Sequence, residues 1–187
     1  NDYLGLRIAG KQHDEIVETL GDRYRQLNRR TSQVNEEDVF QTFVNAYVTS
    51  VDPHTSYFSP RATENFKIRM SLSLEGIGAV LQTENEYTIV RRVVAGGPAE
   101  LSDQLHGGDR IIGVGQGPQT PLVDVIGWRL DDVVDLIRGA KGTTVRLQIL
   151  PGEDGPDSPG KVISIVRDTI KLEEQAAQKS VLTIKDE

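Results

Sequence analysis

The chain has no cysteine. Disulfides, thiolate nucleophiles and thiolate zinc sites are therefore excluded together. The absence suits every cellular compartment and so assigns none. Basic residues are in the minority: 21 Lys and Arg stand against 28 Asp and Glu, a net charge of −7. Such a chain repels a phosphate backbone, and nucleic acid is not an expected partner. No apolar run approaches the roughly 20 residues that a membrane-crossing helix needs, so no transmembrane segment is expected in this chain. The three histidines, His13, His54 and His106, are scattered and lack metal-ligand spacing. The acids within residues 151–160 lack the spacing of a calcium loop. No metal and no other cofactor is expected. An initiator methionine and a signal segment are missing too. The chain starts at Asn1 and closes on Lys185-Asp186-Glu187, and both ends are expected to be cuts in a longer polypeptide.

What is present is a globular composition, 37% hydrophobic and 5% aromatic, over 187 residues. That length suits one domain with an appendage or two small domains. Residues 11–30 carry Ile16, Val17, Leu20, Tyr24 and Leu27 at helical spacing. A second helix is expected from Asn35, a good N-cap, with Glu36, Glu37 and Asp38 placing negative charge on its first turn. Its stripe is Val39, Phe40, Phe43, Val44, Tyr47 and Val48. Each stripe needs a partner, and a helical hairpin is the simplest arrangement. Asp52-Pro53 stops the second helix. Ser59-Pro60 then starts a short third one, running to about Lys67.

From Ser71 the pattern becomes that of strands. Tyr87 to Val94 is β-rich, Gly96-Gly97-Pro98 breaks it, and Pro98 to Leu105 suits a short helix. Gly107-Gly108-Asp109 reads as a turn before a strand at Ile111, Ile112 and Val114. Residues 115–121 read as loop. Leu130, Val133, Val134 and Ile137 form the stripe of another helix, closed by Gly139 and Gly142. Val145, Leu147 and Ile149 alternate as a strand, and Val162 to Val166 is its hairpin partner across an exposed turn. Residues 171–179 read as a charged helix or linker, and Val181 to Ile184 as the start of an unpartnered strand. The pattern implies an α+β chain: a helical segment, 1–70, then a small, partly open β-barrel with two covering helices, 71–168, then a linker, 169–187.

The segment Leu74-Glu75-Gly76-Ile77-Gly78-Ala79-Val80-Leu81 is the informative one. Two glycines flank an apolar residue at the entrance to a strand. Glycine reaches backbone torsions that other residues resist. Such a loop can turn successive amides toward one point and form a nest for an anion. A strand edge behind the nest can accept an extended peptide, which is recognition by strand addition. Taken alone, the two glycines suit a plain hairpin or bulge better. Gly113-Val114-Gly115-Gln116-Gly117 also has glycine spacing, but Pro118 and Pro121 are incompatible with the helix that a dinucleotide fingerprint needs.

Glu75-Gly76-Ile77-Gly78-Ala79 resembles the carboxylate-binding loop of PDZ domains, with Ala79 where a bulky apolar residue is usual. Gly96-Gly97-Pro98-Ala99 resembles the entry to the first PDZ helix, Gly108-Asp109-Arg110-Ile111 the turn and strand after it, and Leu130 to Ile137 the second helix. Met70 to Gln82, Val123 to Val134 and Asp52-Pro53-His54-Thr55 are similar to the tail-specific, carboxyl-terminal processing proteases of the bacterial envelope. The resemblance covers most of residues 11–175. It implies a helical N-terminal region, a PDZ domain that senses substrate C-termini, and a serine–lysine peptidase core beyond residue 187. Lys179-Ser180 lies on no nucleophile-bearing frame, so no catalytic residue is expected in this chain. The resemblance further implies a periplasmic location, C-terminal peptides of substrate proteins as ligands, and an envelope adaptor as a partner of the helical segment. The expected peptide-binding residues are Leu74, Gly76, Ile77, Gly78, Ala79 and Val80, with Leu130, Val134 and Ile137 from the helix and Val133 in the core. A complete peptidase and an interaction scaffold remain the alternatives. The loop carries no basic residue, so small or aliphatic terminal side chains are the expected preference.

Overall fold

The computed structural model describes residues 2–152, 158 and 160–172. Between Thr63 and Glu64 the chain divides into two units.

The first unit is helical. Helix α1 spans Asp2–Ile8 and α2 spans His13–Ser32. The amide of Gln12 donates to Glu15 Oε2 at 3.1 Å and fixes the start of α2. Tyr3 and His13 join the two helices through Oη and Nδ1, 3.0 Å apart. Helix α3 spans Glu36–Val51. Its expected cap is present and reciprocal: the Asp38 amide donates to Asn35 Oδ1 at 2.9 Å, and the Asn35 amide to Asp38 Oδ2 at 3.1 Å. The Asp52 carboxylate ends α3 by accepting the His54 amide at 3.0 Å and the Thr55 hydroxyl at 2.6 Å. Those two bonds hold its pKa below the ordinary aspartate value. His54 thus contributes its backbone rather than its ring to this turn. Asn45 then pins the returning chain, accepting the Tyr57 amide at 2.8 Å and donating to the Tyr57 carbonyl at 3.1 Å.

The expected burial of both stripes in a helical hairpin does not occur. Ile16 is buried, but Val17, Tyr24 and Leu27 on α2 are exposed, and Phe43 on α3 is 71% exposed. Amphipathic spacing specifies a face, while burying that face needs a second surface, and α2 and α3 do not supply it to one another.

The second unit holds the sheet. Helix α4 spans Pro60–Ser71, longer than expected, so the division falls within it, and Ser59 Oγ accepts the Ala62 amide at 3.3 Å. Strands β1 (Ser73–Gly76), β2 (Ala79–Glu84) and β3 (Tyr87–Val93) follow. Helix α5 is Pro98–Ser102, β4 is Arg110–Gln116, β5 is Val123–Asp124 and α6 is Leu130–Ile137. Strands β6 (Thr144–Leu150), β7 (Lys161–Val166) and β8 (Asp168–Lys171) complete the described elements. The antiparallel order is β2-β3-β4-β6-β7, with β5 on β4, so the sheet is open and β2 is one edge. The structure is α+β, as expected. Val145, Leu147 and Ile149 alternate inward on β6, and Ile163 and Ile165 face them from β7. Val90, Ile111, Val114 and Val133 close the same core.

Two local expectations change. Strand β4 runs to Gln116, so Gly115 and Gln116, expected in the loop over 115–121, are strand, because β6 pairs with β4 to its end. Residues 169–171, expected in a linker, belong to β8, which pairs antiparallel with β1. The alternation of Ile170 and Leu172 with Thr169 and Lys171 is the period-2 signal behind that strand. The helix or linker expected over 171–179 lies, after Leu172, outside the described residues, as does the strand expected at Val181 to Ile184.

Candidate functional site

The glycine loop sits between two strands that belong to different sheets. Gly76 ends β1, Ala79 begins β2, and Ile77 and Gly78 bridge them. Gly78 has φ +76°, a left-handed torsion that favours glycine. A Cβ there would also lie 3.2 Å from Gly97 Cα and 3.5 Å from the Ile170 side chain. The loop is locked from below by the motif at 96–99. The Ile77 carbonyl accepts the Ala99 amide and the Gly78 carbonyl accepts the Val94 amide, each at 2.8 Å.

The carbonyls are committed; the amides are not. Among the described residues, the Ile77 and Gly78 N–H groups donate to no acceptor. Ala79 stands opposite Val93, and the Val94-to-Gly78 bond beside that pair turns the Ala79 amide away from β3. The Ile77 and Gly78 amides in the loop are thus uncommitted, and that of Ala79 faces the unpaired edge of β2.

Beside them lies a recess of about 480 Å³. Leu74, Gly76, Ile77, Gly78, Ala79 and Val80 line it from the loop and β2, and Val134 and Ile137 from α6. Val133, one position off, is fully buried in the core. Leu130 is half-buried on the same face of α6, one turn before Val134, and lies outside the recess.

Other elements supply walls that the sequence reading missed. Helix α4 brings Asn65, Ile68 and Arg69, the end of α6 brings Arg138, and the β8 segment brings Ile170 and Leu172. The recess is thus less purely apolar than the loop alone implies. Arg138 immediately follows α6, where a cation suits the helix C-terminus, so its sequence position also has an ordinary local explanation. The other histidines stand apart from the recess: His13 is bonded to Tyr3, and His106 Nε2 lies 3.3 Å from Asp103 Oδ1.

An open antiparallel sheet with a glycine loop of uncommitted amides at its edge strand and a helix beside it defines the class. Residues 65–150 match the PDZ domain family. This region is similar to the PDZ domain of the carboxy-terminal protease of Vibrio cholerae, solved in complex with a peptide: 62% identity, TM-score 0.51, covering 54% of this chain and all of that one. The photosystem II D1 C-terminal processing protease shares the fold at 22% identity and a TM-score of 0.50, over 74% of this chain and 34% of that one. Residues 1–61 match the tail-specific protease N-terminal domain family.

The chain belongs to the tail-specific, or carboxyl-terminal processing, protease family, of which it carries the N-terminal and PDZ regions. It is 44% identical over 178 residues to the tail-specific protease of Haemophilus influenzae, covering 95% of this chain and 25% of that protein. It is 28% identical over 175 residues to the carboxy-terminal processing protease CtpA of Bacillus subtilis, covering 92% of this chain and 35% of that protein. The chain therefore spans about a quarter to a third of the curated relatives it matches.

Proposed function

We propose that the loop, the β2 edge and α6 form a groove that captures the C-termini of substrate proteins noncovalently. The groove presents them to, or switches on, a serine peptidase core that lies outside this chain and uses a Ser-Lys dyad. The observation that carries this reading is the set of uncommitted amides at Ile77 and Gly78, with that of Ala79, on the open edge of β2. Anions are held by convergent backbone N–H groups, and an extended chain completes an open strand edge. A terminal carboxylate followed by an extended backbone has both features. Leu74, Val134 and Ile137 give the terminal side chain an apolar recess suited to small or aliphatic groups. The V. cholerae relative, solved with a peptide, supports this use of the fold. The parent protein acts, on this reading, in the periplasm.

The test is a titration of a peptide ending in Ala or Val against its C-terminally amidated form. Removing the charge from a hydrogen-bonded carboxylate is expected to weaken binding about tenfold or more. Equal affinity for the two forms rules out carboxylate recognition.

A second reading concerns the helical unit, where Val39, Phe40, Phe43 and Tyr47 leave an apolar stripe on α3 exposed. It assigns that stripe to an envelope adaptor protein. Phe43→Glu is then expected to abolish adaptor capture while leaving peptide affinity unchanged. Capture that survives this change removes the stripe from the interface.

A further inference from the structure

The end of β2 away from the glycine loop carries exposed apolar side chains. Strands β2 and β3 are joined there through Asn85 and Glu86, and the Glu86 carbonyl accepts the Gly127 amide at 2.7 Å. The segment before α6 is thereby tied to the tip of the β2–β3 hairpin. Gly127 has φ +77°, and the Trp128 amide donates to the Val125 carbonyl at 3.2 Å, so a tight turn fixes Ile126 and Trp128 beside that tip. Val125 is buried, whereas Ile126 is 38% and Trp128 42% exposed. Leu130, half-buried at the start of α6, continues the apolar line from this turn toward Val134.

Trp128 is the one tryptophan of the chain. Among the described residues its ring stacks on no other aromatic ring, and its indole N–H donates to no acceptor. Single exposed hydrophobics are ordinary and need no partner. Trp128 differs in its place: it has Ile126 two positions away and stands where a tail leaving the groove must pass. An extended chain rises about 3.3 Å per residue, so a tail paired along Ala79–Glu84 with its end at the loop brings about its sixth residue opposite Glu84. Main-chain pairing with β2 stops there, because the strand ends. Beyond that point the tail can be read only through its side chains, and a large ring with an unused donor is a common anchor for such contacts.

We propose that Ile126 and Trp128 form a second subsite of the groove, which takes an aromatic or large aliphatic side chain about five to seven residues upstream of the tail's C-terminus. The tail is then held at two places, its terminus in the glycine loop and one bulky apolar side chain at the hairpin tip. Substrates are proteins whose ends are extended over that length and carry such a residue. This inference rests on the peptide-capture reading above and adds a specificity-determining position to it.

The experiment titrates Ala-terminated free-acid peptides into the full chain, one of about four residues and a set of about ten residues. In the long set, one Phe is moved through the fifth to seventh positions from the end, with Ser at those positions in the reference peptide. Phe at its best position is expected to bind about fivefold more tightly than the Ser reference. Because the chain has one tryptophan, its fluorescence reports the subsite directly. Emission should move to shorter wavelength with the Phe peptide and stay in place with the short one. The Phe-to-Ser affinity ratio should fall to about one in Trp128→Ser, fall in Ile126→Ser, and be largely kept in Trp128→Tyr. The short peptide reports whether each variant still folds. A parent chain that shows no advantage for Phe at any of the positions overturns the inference. So does a Phe-to-Ser ratio that keeps its parent value in both Trp128→Ser and Ile126→Ser, or a Trp128 emission that the Phe peptide leaves in place. If the parent chain binds neither the short peptide nor the long ones, the peptide-capture reading itself fails and this inference falls with it.

Discussion

One side chain governs how α6 meets the sheet. Arg167 is 3% exposed and donates only to neutral acceptors. Nε reaches the Ile137 carbonyl at 2.8 Å, Nη1 the Thr143 hydroxyl at 2.9 Å, and Nη2 the Gln116 side-chain oxygen at 2.6 Å and the Leu136 carbonyl at 3.1 Å. Two of these are last-turn carbonyls of α6, which carry the negative end of the helix dipole and offset part of the cost of burying a cation. Burial pushes the Arg167 pKa down from its ordinary value. Arg167→Met is expected to lower unfolding stability by about 2–4 kcal/mol, since it strands buried carbonyls. Urea denaturation checks this, and a loss under about 0.5 kcal/mol contradicts the assignment. Gly78 makes a different demand. Gly78→Val combines a left-handed torsion with a close approach to Gly97 and should cost about 1–3 kcal/mol, with the loop displaced and peptide affinity reduced. Wild-type stability in that variant would show that the torsion relaxes at no cost.

At the scale of elements, the β1–β8 ribbon carries a carboxylate that makes it sensitive to pH. Lys141 joins it to the turn after α6 by its amide on Glu75 and its ammonium on Asp168. The hydrogen bond from Lys141, the Thr169 amide and the charge of Lys141 together hold Asp168 below the ordinary value of 3.8. A depressed folded-state pKa contributes stability that is present above the unfolded value and lost as pH falls through the folded one. The ribbon should therefore loosen below about pH 4. The effect is small, because both partners are largely exposed and solvent screens them. Asp168→Asn is expected to flatten the decline of the urea midpoint between about pH 5 and pH 3. An unchanged decline would place the acid sensitivity elsewhere.

At the scale of the molecule, the division between the two units falls within α4, between Thr63 and Glu64. All the residues lining the recess lie at or after Asn65, within the second unit. A chain beginning at Ser59 keeps the α4 cap and should bind an Ala-terminated peptide within about twofold of the full chain. A chain beginning at Ser71 loses Asn65, Ile68 and Arg69 from the wall of the recess and is expected to bind about tenfold more weakly, through lost apolar burial. Equal affinity of the two truncated chains would remove α4 from the groove. The first unit presents the opposite situation, since its apolar stripes are exposed. Phe43→Ser should change unfolding stability by less than about 0.5 kcal/mol, because a side chain so open has little burial to lose.

The sequence by itself determined what local forces decide. The Asn35 cap, the end of α3 at Asp52-Pro53 and the inward alternation of Val145, Leu147 and Ile149 each depend on residues a few positions apart, and each was legible before any coordinates. Tertiary structure alone decided what assembles around the loop. Asn65 and Arg138 are 73 positions apart, and their contact follows from where α4 and α6 end rather than from any spacing between them. The same holds for β8, whose alternation shows a strand but not that β1 is its partner. It holds for the stripes of α2 and α3 as well: periodicity names the face that seeks burial, and only packing reveals whether the chain contains a surface to cover it.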